Sequence, residues 1–387
     1  MSTSTQPLTS QCTQLVIGLS IVTLFLISSP AAAYYNQHNL VTDDQQNLVT
    51  SGYKAADFID PDLKNPWGIV SSSTGPFWVS DNATGLSSLY NGSGVKQGLL
   101  VTITGGSPTG TVFNGGPNFQ ITPAPARFIF ASETGKISGW NSGSQTNTIV
   151  KVDNSASGAI YKGLAIDSST AGTLLYAANF GNGTIDIFDA NFSPVFAVGA
   201  FQDPNLPQGV SPFNIQNLGG ELYVTYAFKA PGASDETVGA GLGIVDVFNT
   251  QGSLIRRLIS TGSVLDAPWA LAMAPSDFGE FSGDLLVGNF GDGKINAFDP
   301  LTGIYKGTLS NAKGDPIVID GLWGLSFGNG TNAGDTDTLY FTAGISDEAH
   351  GLFGSLSAIP EPTALPIMVL GLILASSNMR RLAYQRR

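Results

Sequence analysis

One cysteine, Cys12, serves a chain of 387 residues, and it lies ahead of the apolar run at 15–27. Beyond that point no disulfide, thiolate metal site or cysteine nucleophile is available. Histidine is almost as scarce, with only His38 and His350. A hydrolytic triad needs a base that orients a nucleophile. Outside the N-terminal leader only His350 could serve, and beside Asp347 and Glu348 it reads first as part of a solvated loop. The Gly-x-Ser-x-Gly pattern occurs at 324–328, but inside the strand "LWGLSF" and not at a strand-to-helix turn, so it makes no nucleophile elbow; "FSGDL" at 281–285 reads as a loop. The Gly-rich "GNGTNAGD" at 328–335 lacks the lysine that a phosphate-cradling loop requires. Charge is sparse and mostly of one sign. With the four arginines after residue 379 and Glu361 set aside, 13 Lys and Arg face 28 Asp and Glu. Binding a phosphate backbone takes cations that displace counterions, so the balance argues against nucleic acid as a partner. Good helix formers are few, and away from the two ends no stretch of a dozen residues repeats with helical period.

The two ends are the exceptions to this polar character. "LVIGLSIVTLFLI" at 15–27 is an apolar run of signal-peptide length, and "AAA" at 31–33 offers a small-residue cleavage site between Ala33 and Tyr34. Residues 1–33 are therefore expected to be a secretory signal peptide. The mature chain would lack thiols in an oxidising compartment, so its core must be large enough to stand without cross-links. At the far end, "IPEPTALPIMVLGLILASSNMRRLAYQRR" (359–387) joins a Pro-Glu-Pro motif to an apolar segment and then to Arg380, Arg381, Arg386 and Arg387. As a helix, the apolar part spans about 22 Å at about 1.5 Å per residue, short of the roughly 30 Å hydrocarbon core. Snorkelling arginines and local thinning could close the gap. Arginines held on the cytoplasmic side would leave the bulk of the chain outside.

Between the ends one unit recurs: an apolar strand, a polar turn with glycine, and a second strand ending in an aromatic. It reads as "FWVSDNATGLSSLYN" (77–91), "IFASETGKISGWN" (129–141) and "LYAANFGNGTIDIFD" (175–189), then as "LYVTYAF" with "GIVDVFN" (222–228, 243–249), "LLVGNFGDGKINAFD" (285–299) and "LYFTAGISDEAHGLFGSL" (339–356). The turn glycines Gly85, Gly135, Gly183, Gly243, Gly293 and Gly351 are 50, 48, 60, 50 and 58 residues apart. Each pair is a hairpin pattern. Upstream lie the strands "PWGIV" (66–70), "KGLAI" (162–166), "FNIQNL" (213–218), "PWALAM" (268–273) and "LWGLSF" (322–327); in the second unit the corresponding strand is placed near 119–123. A fourth strand is expected after each aromatic, as in "GLLVTI" (98–103) or "SLIRRLI" (253–259). Four strands repeated six times at about 50 residues make an all-β, six-bladed β-propeller. A β-sandwich or a parallel β-helix is the alternative, though a β-helix favours shorter coils. The expected organisation is signal peptide 1–33, leader 34–62 with "DFIDPDL" (57–63) as candidate closing strand, propeller 63–357, and tail 358–387. Insertions at 229–242 and 344–351, and the long loop 327–338, belong to functional-face loops by the logic of repeat folds.

Pro360, Glu361 and Pro362, the hydrophobic span and the arginine cluster together resemble a PEP-CTERM sorting signal. That resemblance implies recognition by an exosortase in a Gram-negative bacterium, processing near the Pro-Glu-Pro motif, and only transient membrane anchoring. A plain C-terminal anchor is the alternative. Expected partners are the exosortase and signal peptidase, then exopolysaccharide or surface proteins, at the cell surface or outside the cell. "NPWGIV", "YKGLAI", "APWALAMAPSDFGEFSGDLLVGNFGDGKINAFDP" and "DGLWGLSFGNG" resemble an uncharacterised family of exported propellers, and more loosely the NHL and gluconolactonase-type propellers. The latter resemblance implies a divalent cation such as Ca²⁺ on the axis, which would take several oxygen ligands. By equivalent repeat positions the candidates are Asp81, Glu133, Asn179 and Asn289 at second-strand ends, with Asp266 and Asp320 ahead of inner strands. Asn and Asp before glycine are also ordinary turn residues. Trp67, Trp78, Trp140, Trp269 and Trp323 are expected to pack between sheets, as strand aromatics usually do. The preferred reading is a non-catalytic exported binding or structural protein; the alternative is a metal-dependent hydrolase or lactonase.

Overall fold

In the computed structural model of the chain, the described residues are Met1, 34–167 and 173–360. The expected signal peptide with Ala33, and the tail residues Glu361, Pro362, Arg380, Arg381, Arg386 and Arg387, lie outside the described residues. Six antiparallel sheets form in chain order, and the inner strand of each neighbours the next until the sixth meets the first. The inner strands are Pro66–Ser71, Pro108–Phe113, Tyr161–Asp167, Val210–Leu218, Pro268–Met273 and Leu322–Phe327. The molecule is an all-β, six-bladed propeller. Among the described residues the one α-helix is the six-residue Gln45–Thr50, capped by the Asp44 carboxylate, and no helix is long and apolar enough to cross a membrane.

Each sheet is covered on both faces, which explains why the second strands read as nearly unbroken apolar runs. Between the first and second blades Trp78, Leu89, Val101, Phe128 and Phe130 interlock; between the fifth and sixth, Leu286, Ala297, Leu325 and Phe341 do so. Equivalent clusters fill the other four junctions. At about 1.5–3 kcal/mol for each large apolar side chain taken out of water, these junctions, not cross-links, hold the ring. The hairpin turns agree with the sequence pattern. Gly85, Gly135, Gly183 and Gly293 have φ of 68°, 74°, 71° and 68°, a left-handed conformation that a Cβ would penalise.

Three sequence expectations need correction. The ring is closed by Tyr35–Thr42, which runs antiparallel to the last strand, Leu352–Ala358, so the sixth blade is built from both ends of the domain. "DFIDPDL" contributes instead Phe58–Ile59, a short fifth strand parallel to the closing strand. In the closing strand Asn36, Gln37, His38 and Asn39 dilute the apolar signal. The inner strand of the second blade is Pro108–Phe113, not 119–123. That later segment is a loop whose Phe119 and Ile121 are buried in the second–third blade junction, with the Phe119 amide bonded to the Ala190 carbonyl. Among the described residues the third blade has three strands. After Phe188 the chain pairs only at Pro194 and through the Val195 N–H to the Ile187 carbonyl before leaving the sheet. At the clasp, the Ile359 N–H donates to the Tyr34 carbonyl at 2.7 Å.

Candidate functional site

Stacked in register, the inner strands carry the triplets Pro66-Trp67-Gly68, Pro108-Thr109-Gly110, Tyr161-Lys162-Gly163, Pro212-Phe213-Asn214, Pro268-Trp269-Ala270 and Leu322-Trp323-Gly324. Every one carries a register shift at this place. Bulges re-aim side chains, and here the second residue of each triplet turns towards the axis. The third is small where neighbouring inner strands almost touch: a Cβ on Gly110 would strike the backbone of Gly163 and Leu164, and one on Gly324 the Trp67 carbonyl. The second-position side chains plug the axis. Trp67 and Trp323 stack with ring centroids 3.4 Å apart, Trp269 stands edge-on to both at 6.1 and 5.9 Å, and Phe213 lies 5.8 Å from Trp323. Strand aromatics thus divide into two roles. Trp78 and Trp140 pack between blades as expected, whereas Trp67, Trp269 and Trp323 belong to the axis.

Lys162 is the odd member of this ring. Its side chain is 1% exposed, and its ammonium sits 5.2, 5.1 and 5.6 Å from the Trp67, Phe180 and Phe213 ring centres. Three carboxylates face it: Glu236 at 3.0 Å, Asp235 at 3.3 Å and Glu133 at 3.5 Å. Burial by itself would lower the lysine pKa, but attraction to Glu236, Glu133 and Asp235 carries it above the ordinary lysine value. The group is a permanent cation, not a nucleophilic amine. Asp235 and Glu236 come from the insertion at 229–242. Glu348, from the insertion at 344–351, approaches the same place and accepts from the Asn65 side chain at 2.9 Å. Burial first, then repulsion from Glu236, pushes the Glu348 carboxyl up to about 7. Ser346, Asp347 and Glu348 all have positive φ, a conformation costing roughly 1–2 kcal/mol per residue. Lys229 completes the cluster, donating to the Phe180 and Gly181 carbonyls at 2.8 and 2.9 Å. Burial, with the neighbouring Lys162 charge, lowers its pKa.

Of the six proposed metal ligands only Glu133 reaches this cluster, with its other oxygen held by Asn82 at 2.9 Å. Asp81 is fully buried and accepts from the Ser88 N–H at 2.9 Å; burial raises its pKa well above the ordinary carboxylate value. Asn179 bonds Asp186 and the Ile160 and Asn182 amides. Asn289 bonds Asp292 and the Val264 carbonyl. Asp266 accepts from the Gly239 N–H, and Asp320 from the Ser346 N–H. Among the described residues no three His, Cys, Asp or Glu side chains converge to hold a metal ion. The donor set does not fit the divalent cation that the gluconolactonase likeness implies. His350 is not a solvated loop residue: its ring lies 2.9 Å from the nearly buried Asp43 carboxylate, tying the insertion to the closing segment. The sequence reading missed Lys162, although it was visible as the lysine in a column otherwise of Trp, Phe and Thr.

On the far side of the plug the inner strands diverge into a pit of about 330 Å³. Its walls come from all six blades, including Gly68, Gly110, Leu164, Gln216, Trp269 and Leu325, and none of its lining residues is titratable. Asn214 and Asn217 spend their side-chain amides on the Trp269 and Ile166 carbonyls. Charge is gathered at one end of the axis, and a neutral cavity lies at the other.

This geometry defines a six-bladed propeller with a plugged axis. No family model matches the sequence. The chain is 36% identical over 330 residues to uncharacterised protein R648 of Acanthamoeba polyphaga mimivirus, covering 80% of this chain and 78% of that one. It is 35% identical over 329 residues to uncharacterised protein L690 of the same virus, covering 80% and 84%. The chain belongs to the family of these proteins. Among solved structures it is similar to virginiamycin B lyase of Staphylococcus aureus, with 14% identity, a TM-score of 0.48, and coverage of 85% of this chain and 100% of that one. An auxiliary nutrient binding protein of Bacteroides ovatus shows 11% identity, a TM-score of 0.48, and coverage of 85% and 78%. Likenesses at this level carry nothing about ligand or chemistry.

Proposed function

We propose that the protein is an exported, non-catalytic binding propeller. In this reading it is delivered by its signal peptide, sorted through its Pro-Glu-Pro tail by an exosortase, and holds a small ligand in the axial pit. The observation that carries the binding half is the pit itself. It is walled by six blades, closed at its inner end by interlocked aromatics, and of the size at which proteins begin to bury small molecules. The charged groups beyond the plug are paired with one another and support the insertions instead of facing the pit. Export rests on the two ends of the sequence, and the viral origin of the relatives is silent on it.

Two measurements test the two halves. Expressed whole in a Gram-negative host that has an exosortase, the chain is expected outside the inner membrane, lacking residues 1–33 and the C-terminal arginines; intact recovery from the cytosol refutes export. For binding, a small-molecule library is screened by thermal shift against the purified protein and against Ser71→Phe, which crowds the pit. Ligands that stabilise only the unmodified protein are expected; stabilisation that ignores the substitution refutes the pit.

A further inference from the structure

The pit also constrains what can occupy it, given the binding reading above. An inner strand has a ladder partner on one side only, so alternate N–H and C=O groups of its other edge turn towards the axis. Among the described residues no backbone hydrogen bond links one inner strand to the next. A few of these groups are met by side chains, as the Trp269 and Ile166 carbonyls are by Asn214 and Asn217. The Ser71 hydroxyl and the Gln216 amide, both half-buried in the lining, make no side-chain hydrogen bond among the described residues. The walls therefore mix donors and acceptors without charge, alongside aliphatic side chains such as Ile69, Leu164 and Leu325.

From this lining we infer that the pit receives a neutral, polyhydroxylated ring: the terminal unit of a carbohydrate, entering end-on. Each part of the lining selects against another class. An ionic ligand would be buried without a countercharge, since Lys162 and its carboxylates stand behind the plug. A purely hydrocarbon ligand would leave the strand edges, Ser71 and Gln216 unsatisfied. Hydroxyls both donate and accept, so a sugar ring can meet a mixed, uncharged wall while its C–H groups lie against the apolar part of the lining. Entry must be end-on because the stacked Trp67 and Trp323 block the axis; a polysaccharide cannot thread through, and only a chain terminus fits.

The test is calorimetric titration of the purified protein with methyl glycosides of glucose, galactose and mannose. Glucuronate and glucosamine serve as charged counterparts, and toluene as an apolar probe. At least one neutral glycoside is expected to bind ten times more tightly than either charged sugar. That binding should be abolished in Ser71→Phe and weakened about fivefold to tenfold in Gln216→Leu, the worth of about one hydrogen bond, with both variants checked for unchanged unfolding cooperativity. Charged sugars binding as well as neutral ones would overturn the inference. Toluene entering the pit while every sugar fails would overturn the ligand class but leave the pit as a binding site. Failure of all probes, in a protein that the library screen also leaves unstabilised, would overturn both.

Discussion

Replacing Glu348 by Gln should stabilise the protein increasingly as pH rises from about 4.5 to about 7. In the folded state burial and the neighbouring Glu236 hold this carboxyl up to about 7, against an ordinary value of 4.5. A raised carboxyl pKa means that the folded state keeps a proton the unfolded chain has already released. Stability therefore falls as pH rises from about 4.5 to about 7, and the loss is complete above that window. A shift of two to three pKa units corresponds to about 3 kcal/mol at roughly 1.36 kcal/mol per unit; partial exposure of the group reduces this to about 2 kcal/mol. Glutamine retains an oxygen for Asn65 but cannot ionise. The variant should match the parent near pH 4.5 and exceed it by about 2 kcal/mol at pH 8. With an unfolding entropy of roughly 2.1 cal/mol/K per residue for a domain this size, that is about 3 °C in Tm. Thermal melts of both proteins from pH 4 to 9 provide the assay. Because other titrating groups cancel between the two, the difference isolates Glu348. A pH-independent difference, or one largest in acid, would refute the placement of this side chain among buried carboxylates.

Lys162→Met should cost about 3–5 kcal/mol, because Glu236 and Glu133 lose their cation. Burial raises the Glu236 carboxyl above its ordinary value, so the deficit should narrow on acidification, which denaturant titrations at pH 5 and pH 8 would show. Trp323→Ala removes the centre of the plug and should cost about 3–5 kcal/mol in the same titrations; a loss below 1 kcal/mol would mean that the axis is not packed there. Deleting residues 34–42 should leave the sixth blade without its clasp and replace one cooperative melt by a broad or aggregating one.

Much of this architecture was legible because it repeats. The turn glycines and the aromatic at each hairpin's end recur closely enough to count the blades. Legibility failed where a strand lost its signature. Pro108-Thr109-Gly110-Thr111 has threonine where four of the other inner strands place an aromatic, so the buried loop containing Phe119 and Ile121 looked the better candidate. The closing strand hides behind Asn36, Gln37, His38 and Asn39, since pairing with Leu352–Ala358 asks more of its backbone than of those side chains. The candidate metal residues fall at two repeat positions, yet local hydrogen bonds hold most of them, and of the six only Glu133 leans inward to Lys162. Lys162 needed comparison down the column of inner strands, and two of its three carboxylate partners, Asp235 and Glu236, come from the insertion at 229–242.

The clasp between Tyr35–Thr42 and Leu352–Ala358 also sets when the ring can form. The earliest strand of the domain must wait for the latest, so the circle cannot close before Leu352–Ala358 is available to pair. Until residue 358 has emerged, both sides of the final blade remain open edges. A ring that circularises only when its last strand arrives leaves the earlier blades as an open arc, and the contact that makes them a circle is the last to form.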